Sequence, residues 1–253
     1  MTQYDDLTEF LLRMGDSAVV QGQRLCEWCG KAPALEEEMA LMNIGLDLIG
    51  QARNWLEYAA VQLDDGRDAD QLAYCRDERA YRNLLLVEQP NGDFAVSMAK
   101  QFFYDAWQYH MLKGLVDSNN ERVAAIAAKA LKEVTYHLRR SSEWVERLGN
   151  GTEESHQRMT TAVDQVWRFT FELTAGDEVE QRLATAGVIP SLDTVAVAWQ
   201  ETVSEVLTRS TLNTPDAARS FYLNGRNGLH SEHLGILLAE MQFLQRAYPN
   251  ATW

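Results

Sequence analysis

The sequence contains little cysteine, proline or glycine. Of its 253 residues only 3 are cysteine, 5 are proline and 15 are glycine. Three cysteines, an odd number, do not make a disulfide framework and fit a reducing compartment. Most of the prolines and glycines fall between long stretches with a 3.6-residue hydrophobic period. This pattern predicts long helices joined by defined turns, with few or no strands.

Positive charge and long apolar runs are also scarce. The formal net charge is -14, which disfavours nucleic acid or an anionic membrane as the main partner, since binding phosphates requires a basic face. No window approaches the run of about 20 apolar residues that a membrane span needs. The first ten residues, MTQYDDLTEF, are acidic where a signal peptide is basic. We therefore expect a cytoplasmic protein.

The material that is present suffices for one sizeable core, because 46% of the residues are hydrophobic and 24% are charged. We predict an all-α fold, a ferritin-like four-helix bundle with additional C-terminal helices, in a single domain over residues 1–253. The pairing of long helices through short links, with a long connection between the pairs, favours this class. The predicted helices cover residues 4–29, 35–63, 70–83, 94–116, 121–148, 154–173, 178–186, 192–209 and 229–248.

The second predicted helix is apolar on nearly every side over residues 39–52. Its only polar side chains there are Asn43, Asp47 and Gln51, spaced i, i+4 and i+8 along one line. A helix that is apolar all round is expected to be buried. Since buried polar groups need polar partners, this line predicts an internal polar cluster shared with other helices.

Polar residues interrupt the apolar stripes of the other three long helices. The first helix supplies Gln21, the third supplies Asp105, and the fourth supplies Glu133 and His137. Such convergence is typical of di-iron carboxylate bundles, in which two helices each provide Glu and two each provide Glu-x-x-His.

The chain lacks the full set of carboxylate and histidine ligands that a di-iron centre needs. Tyr136 follows Glu133 by three residues and Gly50 follows Asp47 by three, so the required histidines are missing. We therefore predict no metal ligands and no catalytic residues, and we interpret the seven polar residues as a degenerate centre. An internal ion-pair network is the simplest alternative, with a cation drawn from Arg53, Lys100, Lys129 and Lys132.

Two smaller motifs allow a functional and a structural interpretation. Cys26 and Cys29 form a C-x-x-C, which suits a redox pair or half a zinc site, but without a second half we favour core cysteines. The turn at residues 225–228, followed by His230 and His233, could bind a phosphate or CoA through Arg226 and a helix N-terminus. A packed turn with hydrogen-bonded surface histidines is the simpler interpretation.

Long blocks of the sequence carry a resemblance to a known family. They include LCEWCGKAP, MNIGLDLIGQARNW, RDERAYRNLLLVEQPNGDFA, KALKEVTYHLRRSSEWVERLGNGT and GRNGLHSEHLGILLAEMQFLQR. With these blocks the chain resembles the C subunits of bacterial phenylacetyl-CoA epoxidases, the ring 1,2-epoxidising monooxygenases of phenylacetate catabolism.

The resemblance implies a ferritin-like structural subunit with a degenerate centre and no cofactor of its own. It places the di-iron centre and acyl-CoA binding in an A subunit, which pairs with the C subunit in a heterodimer that assembles further. It also implies a B subunit and a separate reductase that uses NADPH, flavin and an iron-sulfur cluster. The isolated chain could form a homodimer. The rival hypotheses are an active di-iron oxygenase using Asp47, Asp105, Glu133 and His137, and an acyl-CoA-binding module.

Overall fold

The structure is a computed structural model that describes residues 4–216, 223–249 and 251. These residues form helices and turns and contain no strand, only an isolated bridge between Asn224 and Leu229. The predicted all-α class is therefore confirmed. No helix among the described residues combines the length and the apolar character needed to span a bilayer. The helices are α1 (Asp6–Cys26), α2 (Leu35–Leu63), α3 (Ala69–Tyr74), α4 (Leu85–Glu88), α5 (Phe94–Leu115), α6 (Glu121–Gly149), α7 (Glu153–Trp167), α8 (Phe171–Thr174), α9 (Glu178–Thr185), α10 (Leu192–Arg209), α11 (Glu232–Met241) and α12 (Phe243–Ala247).

The chain divides by its internal contacts into two compact units. The first comprises the described residues up to 90 together with the described C-terminal segment, and the second comprises described residues from 91 to 216. The single-domain prediction is not tested by this division.

In the first unit α1 and α2 form a closely packed helical hairpin. Its packing depends on glycine: a Cβ added to Gly22 would lie 3.0 Å from the carbonyl oxygen of Gly45, and one added to Gly15 would lie 2.7 Å from the side chain of Leu56. These contacts fix the register that sets which face of α2 points away from α1.

In the second unit α5 and α6 form the corresponding pair, with α7 and α10 packed on α5. Trp199 of α10 donates a hydrogen bond from Nε1 to the carbonyl oxygen of Phe103, at 3.0 Å. The Trp167 ring stacks on Trp199 at 5.7 Å between centroids. The helix α5 is consequently buried along almost its whole length.

One predicted helix, over residues 70–83, is much shorter in the structure and ends at Tyr74. The buried carboxylate of Asp16 explains this difference. Asp16 forms an ion pair with Arg76 and accepts a 2.8 Å hydrogen bond from the backbone N–H of Arg82. These bonds hold residues 76–82 against α1, and because this segment forms only a short 3₁₀ helix at Glu78–Ala80, the α-helix does not continue. Arg76 and Asp16 are both almost fully buried.

Candidate functional site

A buried carboxylate, that of Asp105 on α5, lies in the core of the second unit. Its side chain is fully buried, and Ser141 on α6 donates to Oδ2 from 2.8 Å. Burial raises the pKa of Asp105 from 3.8 to about 8, although the Ser141 hydrogen bond and the charge of Arg140 oppose the rise. Asp105 is therefore mostly protonated at neutral pH in the absence of a nearby metal ion.

The two predicted members on α6 differ in burial. His137 is fully buried, and its carbonyl oxygen lies 3.0 Å from the Ser141 hydroxyl that also contacts Asp105. Glu133 is half-buried. The structure thus brings Asp105 and the His137 backbone together through Ser141.

Buried polar groups without a hydrogen-bond partner among the described residues also occur on α5. They include the hydroxyl of Tyr104 and the indole N–H of Trp107. Burial, and then the neighbouring Asp105, raise the pKa of Tyr104. Each such group costs about 1–3 kcal/mol when left unbonded.

In the first unit the predicted line on α2 is only partly buried. Gln51 is buried, but Asp47 is half-exposed and Asn43 is exposed. The prediction that all three are buried is therefore wrong for Asn43 and Asp47. The reason is that α1 covers one side of α2, and Asn43 lies on the opposite side, next to Met39 and Leu46.

Gln21 on α1 is fully buried, as the interrupted stripe predicts. Within the described part of the chain, its side-chain amide has no hydrogen-bond partner. It lies in the first unit, whereas Asp105 and His137 lie in the second. Gln21 is thus a buried polar group of the α1–α2 hairpin.

The expected cationic partners lie elsewhere. Arg53 is largely exposed and pairs with Glu57 at 2.7 Å, and Lys129 and Lys132 are exposed. Lys100 is buried and its Nζ lies 3.2 Å from Oδ1 of Asn91. The cation whose charge acts on Asp105 is Arg140, which belongs to the same unit but is absent from the predicted set.

No group of three or more His, Cys, Asp or Glu side chains that could hold a metal ion occurs within the described residues. Cys26 is half-buried with a pKa raised mainly by burial, and Cys29 is exposed. The expectation of two core cysteines is wrong for Cys29, because α1 ends at Cys26 and the next residues turn away at the surface.

The turn at residues 225–228 is packed, as the simpler interpretation predicts. A Cβ on Gly225 would lie 2.0 Å from the carbonyl oxygen of Asn83, and one on Gly228 would lie 2.4 Å from that of Arg79. Arg226 is buried, which leaves it poorly placed to receive a phosphate from solvent.

His230 is also buried, so its predicted surface position is wrong. The cause is Glu88, a fully buried carboxylate at the end of α4. Its oxygens contact His230 Nδ1 at 2.8 Å and Asn83 Nδ2 at 2.9 Å, and accept from both the backbone N–H and the hydroxyl of Ser231 at 2.7 Å.

His230 has two polar contacts, one for each ring nitrogen. Nε2 lies 3.1 Å from the carbonyl oxygen of Tyr81, and Nδ1 lies 2.8 Å from a carboxylate oxygen of Glu88. The other contacts of the carboxylate come from Ser231 and Asn83. This buried network ties the C-terminal segment to residues 81–88.

Sequence reasoning missed this cluster because Glu88 and His230 are 142 residues apart. One signal was available: Glu88 directly follows the apolar run LLLV. An acid buried together with such a run requires a buried donor.

The fold and the interior define an all-α protein whose mainly apolar core encloses some polar groups but, in the part of the chain that the structure describes, no cluster of metal-binding side chains. The chain belongs to the phenylacetic acid catabolic protein family, whose model matches residues 1–253. It is similar to the C subunit of the 1,2-phenylacetyl-CoA epoxidase of Escherichia coli (strain K12), with 50% identity over 249 residues, 98% of this chain and 100% of the relative. These matches confirm the resemblance carried by the sequence blocks.

Proposed function

We propose that this chain is a non-catalytic structural subunit of a multicomponent phenylacetyl-CoA 1,2-epoxidase. In that role it pairs with the di-iron catalytic A subunit and stabilises it. The similarity to the C subunit of such an epoxidase supports the assignment to the complex. A structural role is a narrower claim and depends on the interior of the chain.

The observation that carries the structural role is the state of the candidate donors. Asp105 is buried, whereas Asp47 and Glu133 are half-exposed and Asn43 is exposed. A di-iron centre needs four carboxylates and two histidines that converge at one level of a bundle. The described residues offer no such group.

On this proposal the chemistry belongs to other subunits. The A subunit holds the iron and binds the acyl-CoA, a B subunit joins the complex, and a separate reductase passes electrons from NADPH through flavin and an iron-sulfur cluster. This chain contributes a folded surface and no cofactor.

The test compares the chain alone with the chain coexpressed with the A subunit, both after growth with excess iron. We expect less than roughly a tenth of an iron per chain by mass spectrometry for the chain alone, and no NADPH-dependent oxygen use when the reductase and phenylacetyl-CoA are added. Both should appear when the A subunit is present. The proposal fails if the purified chain alone retains two irons or consumes oxygen with substrate, because it would then be an oxygenase itself.

A further inference from the structure

The side of α2 that faces away from α1 is an exposed apolar stripe. Three large hydrophobic side chains along its N-terminal half keep much of their surface in solvent: Leu35 is 68% exposed, Met39 57% and Leu46 61%. With Asn43 and Gly50, which are also exposed, these positions fall within about 80° of one another around a helix of 3.6 residues per turn. We call residues 35, 39, 43, 46 and 50 the α2 stripe. Beyond Gly50 the same side carries the charged pair Arg53 and Glu57.

The exposure of the α2 stripe conflicts with the burial that its sequence pattern predicts. Over residues 39–52 the helix is apolar on nearly every side, a pattern typical of a helix that is buried all round. In this chain α1 buries only one side, through Leu41, Ile44 and Leu48. The pattern is satisfied only if another chain covers the opposite side.

Gly50 is a second, independent indication. A glycine inside a helix costs about 1 kcal/mol relative to alanine, and the glycines that α1 and α2 place between them, Gly22 and Gly45, are explained by close backbone approach. A Cβ added to Gly50 would meet nothing within 4 Å among the described residues. The chain itself therefore gives no reason for this glycine, whereas a helix of another chain crossing close to α2 does.

The charge of α2 argues against a second copy as the occupant. The helix contains five acidic residues, Glu36, Glu37, Glu38, Asp47 and Glu57, and one basic residue, Arg53, which already pairs with Glu57. Two copies would bring two such acidic helices together, each on a chain with a net charge of -14. A partner with basic residues opposite Glu36 and Glu38, on the two sides of the stripe, avoids that repulsion.

We infer that the α2 stripe is the surface on which the catalytic A subunit docks, through a helix with an apolar ridge, a close crossing at Gly50 and basic residues facing Glu36 and Glu38, which flank the stripe. This inference rests on the proposed function and adds the surface and the chemistry of the partner helix.

The test is a competition for the A subunit. An affinity-tagged A subunit is coexpressed with equal amounts of untagged wild-type chain and untagged variant, the complex is purified through the tag, and mass spectrometry gives the ratio of the two chains. The variant Leu46→Lys places a charge in the stripe, and Val197→Lys, at a residue 56% exposed on α10, is the matched control. Because both sites are exposed, both variants should melt within a few degrees of wild type as isolated chains.

We expect Leu46→Lys to be under-represented in the complex by roughly 30-fold, as for a central interface residue, and Val197→Lys to be incorporated equally with wild type. Equal incorporation of Leu46→Lys would overturn the inference, as would equal exclusion of both variants. The inference would also be overturned if the wild-type chain dimerises on its own, and the Leu46→Lys variant is monomeric but is incorporated into the complex as well as wild type. Failure of the wild-type chain itself to copurify with the A subunit would instead refute the proposed function.

Discussion

The ring nitrogen Nδ1 of His230 lies 2.8 Å from Oε2 of Glu88, and both side chains are fully buried. This contact joins the segment before α11 to the end of α4. The surrounding donors, from Asn83 and Ser231, satisfy the remaining lone pairs of the carboxylate. A buried polar network of this kind is expensive to break, because removing one member leaves the others without hydrogen-bond partners.

We predict that Glu88→Gln destabilises the chain by about 3 kcal/mol, because the amide that replaces one carboxylate oxygen cannot accept the buried hydrogen bonds that this oxygen receives. Urea denaturation followed by fluorescence measures the change. The control is Glu232→Gln, whose carboxylate lies in the same segment but whose side chain is 81% exposed. It should change the free energy of unfolding by less than about 0.5 kcal/mol. Equal effects of the two variants would contradict a stabilising role for the buried carboxylate.

The buried carboxyl of Asp105 predicts a dependence of stability on pH. Its pKa in the folded chain is about 8 against 3.8 for the ordinary group, because burial disfavours the charge. Between these values the folded state holds a proton that the unfolded state has lost. The stabilisation of the folded state by this proton is therefore fully present below about pH 4 and is lost as pH rises through 8.

Asp105→Asn removes this dependence, because asparagine is neutral at every pH. We expect the free energy of unfolding of the variant, relative to that of wild type, to rise by about 1 kcal/mol for each pH unit between pH 5 and 7. This slope follows from the free energy equivalent of one pKa unit. Denaturation curves at several pH values measure the difference. The surface variant Asp164→Asn, on an exposed position of α7, is the control. A constant gap between Asp105→Asn and wild type would show that the carboxyl is already ionised.

The sequence predicts the long helices well because their periodicity is local. The helices α2 and α10 begin and end at the predicted residues, and α5 and α6 differ from prediction by one residue at one end. Helix ends that depend on distant contacts are not predicted. One example is the end of α3, which the carboxylate of Asp16 determines.

The candidate site is predicted less well, for two physical reasons. Hydrophobic periodicity identifies apolar faces but does not distinguish a core from a surface that a partner covers, so the burial predicted for Asn43 and Asp47 is wrong. The buried position of Asp105 was predictable because it interrupts a stripe of its own helix. The pairing of Glu88 with His230 depends on tertiary structure alone.

Two glycines of neighbouring helices are expected to respond in opposite ways to alanine. Gly22→Ala should cost about 1–3 kcal/mol, since its Cβ would lie 3.0 Å from the backbone oxygen of Gly45. Gly50→Ala should stabilise the isolated chain by up to about 1 kcal/mol, because nothing in the described part of the chain lies within 4 Å and alanine favours the helix. Chemical denaturation of both variants checks the pair. A loss of stability in Gly50→Ala would mean that the chain itself requires this glycine.

The half-buried carboxylate of Glu133 separates the structural role from the rival oxygenase. If Glu133 is not an iron ligand, Glu133→Gln should leave the NADPH-dependent oxygen use of the complex with the A subunit within about twofold of wild type, since losing a ligand costs far more than the roughly 1.4 kcal/mol of a tenfold rate change. The rate is measured per purified complex, together with its iron content, so that a change in yield does not enter. Glu143→Gln, further along α6 and 54% exposed at its side chain, is the matched control. A rate that falls more than roughly tenfold in Glu133→Gln alone, with loss of iron, would place the metal in this chain.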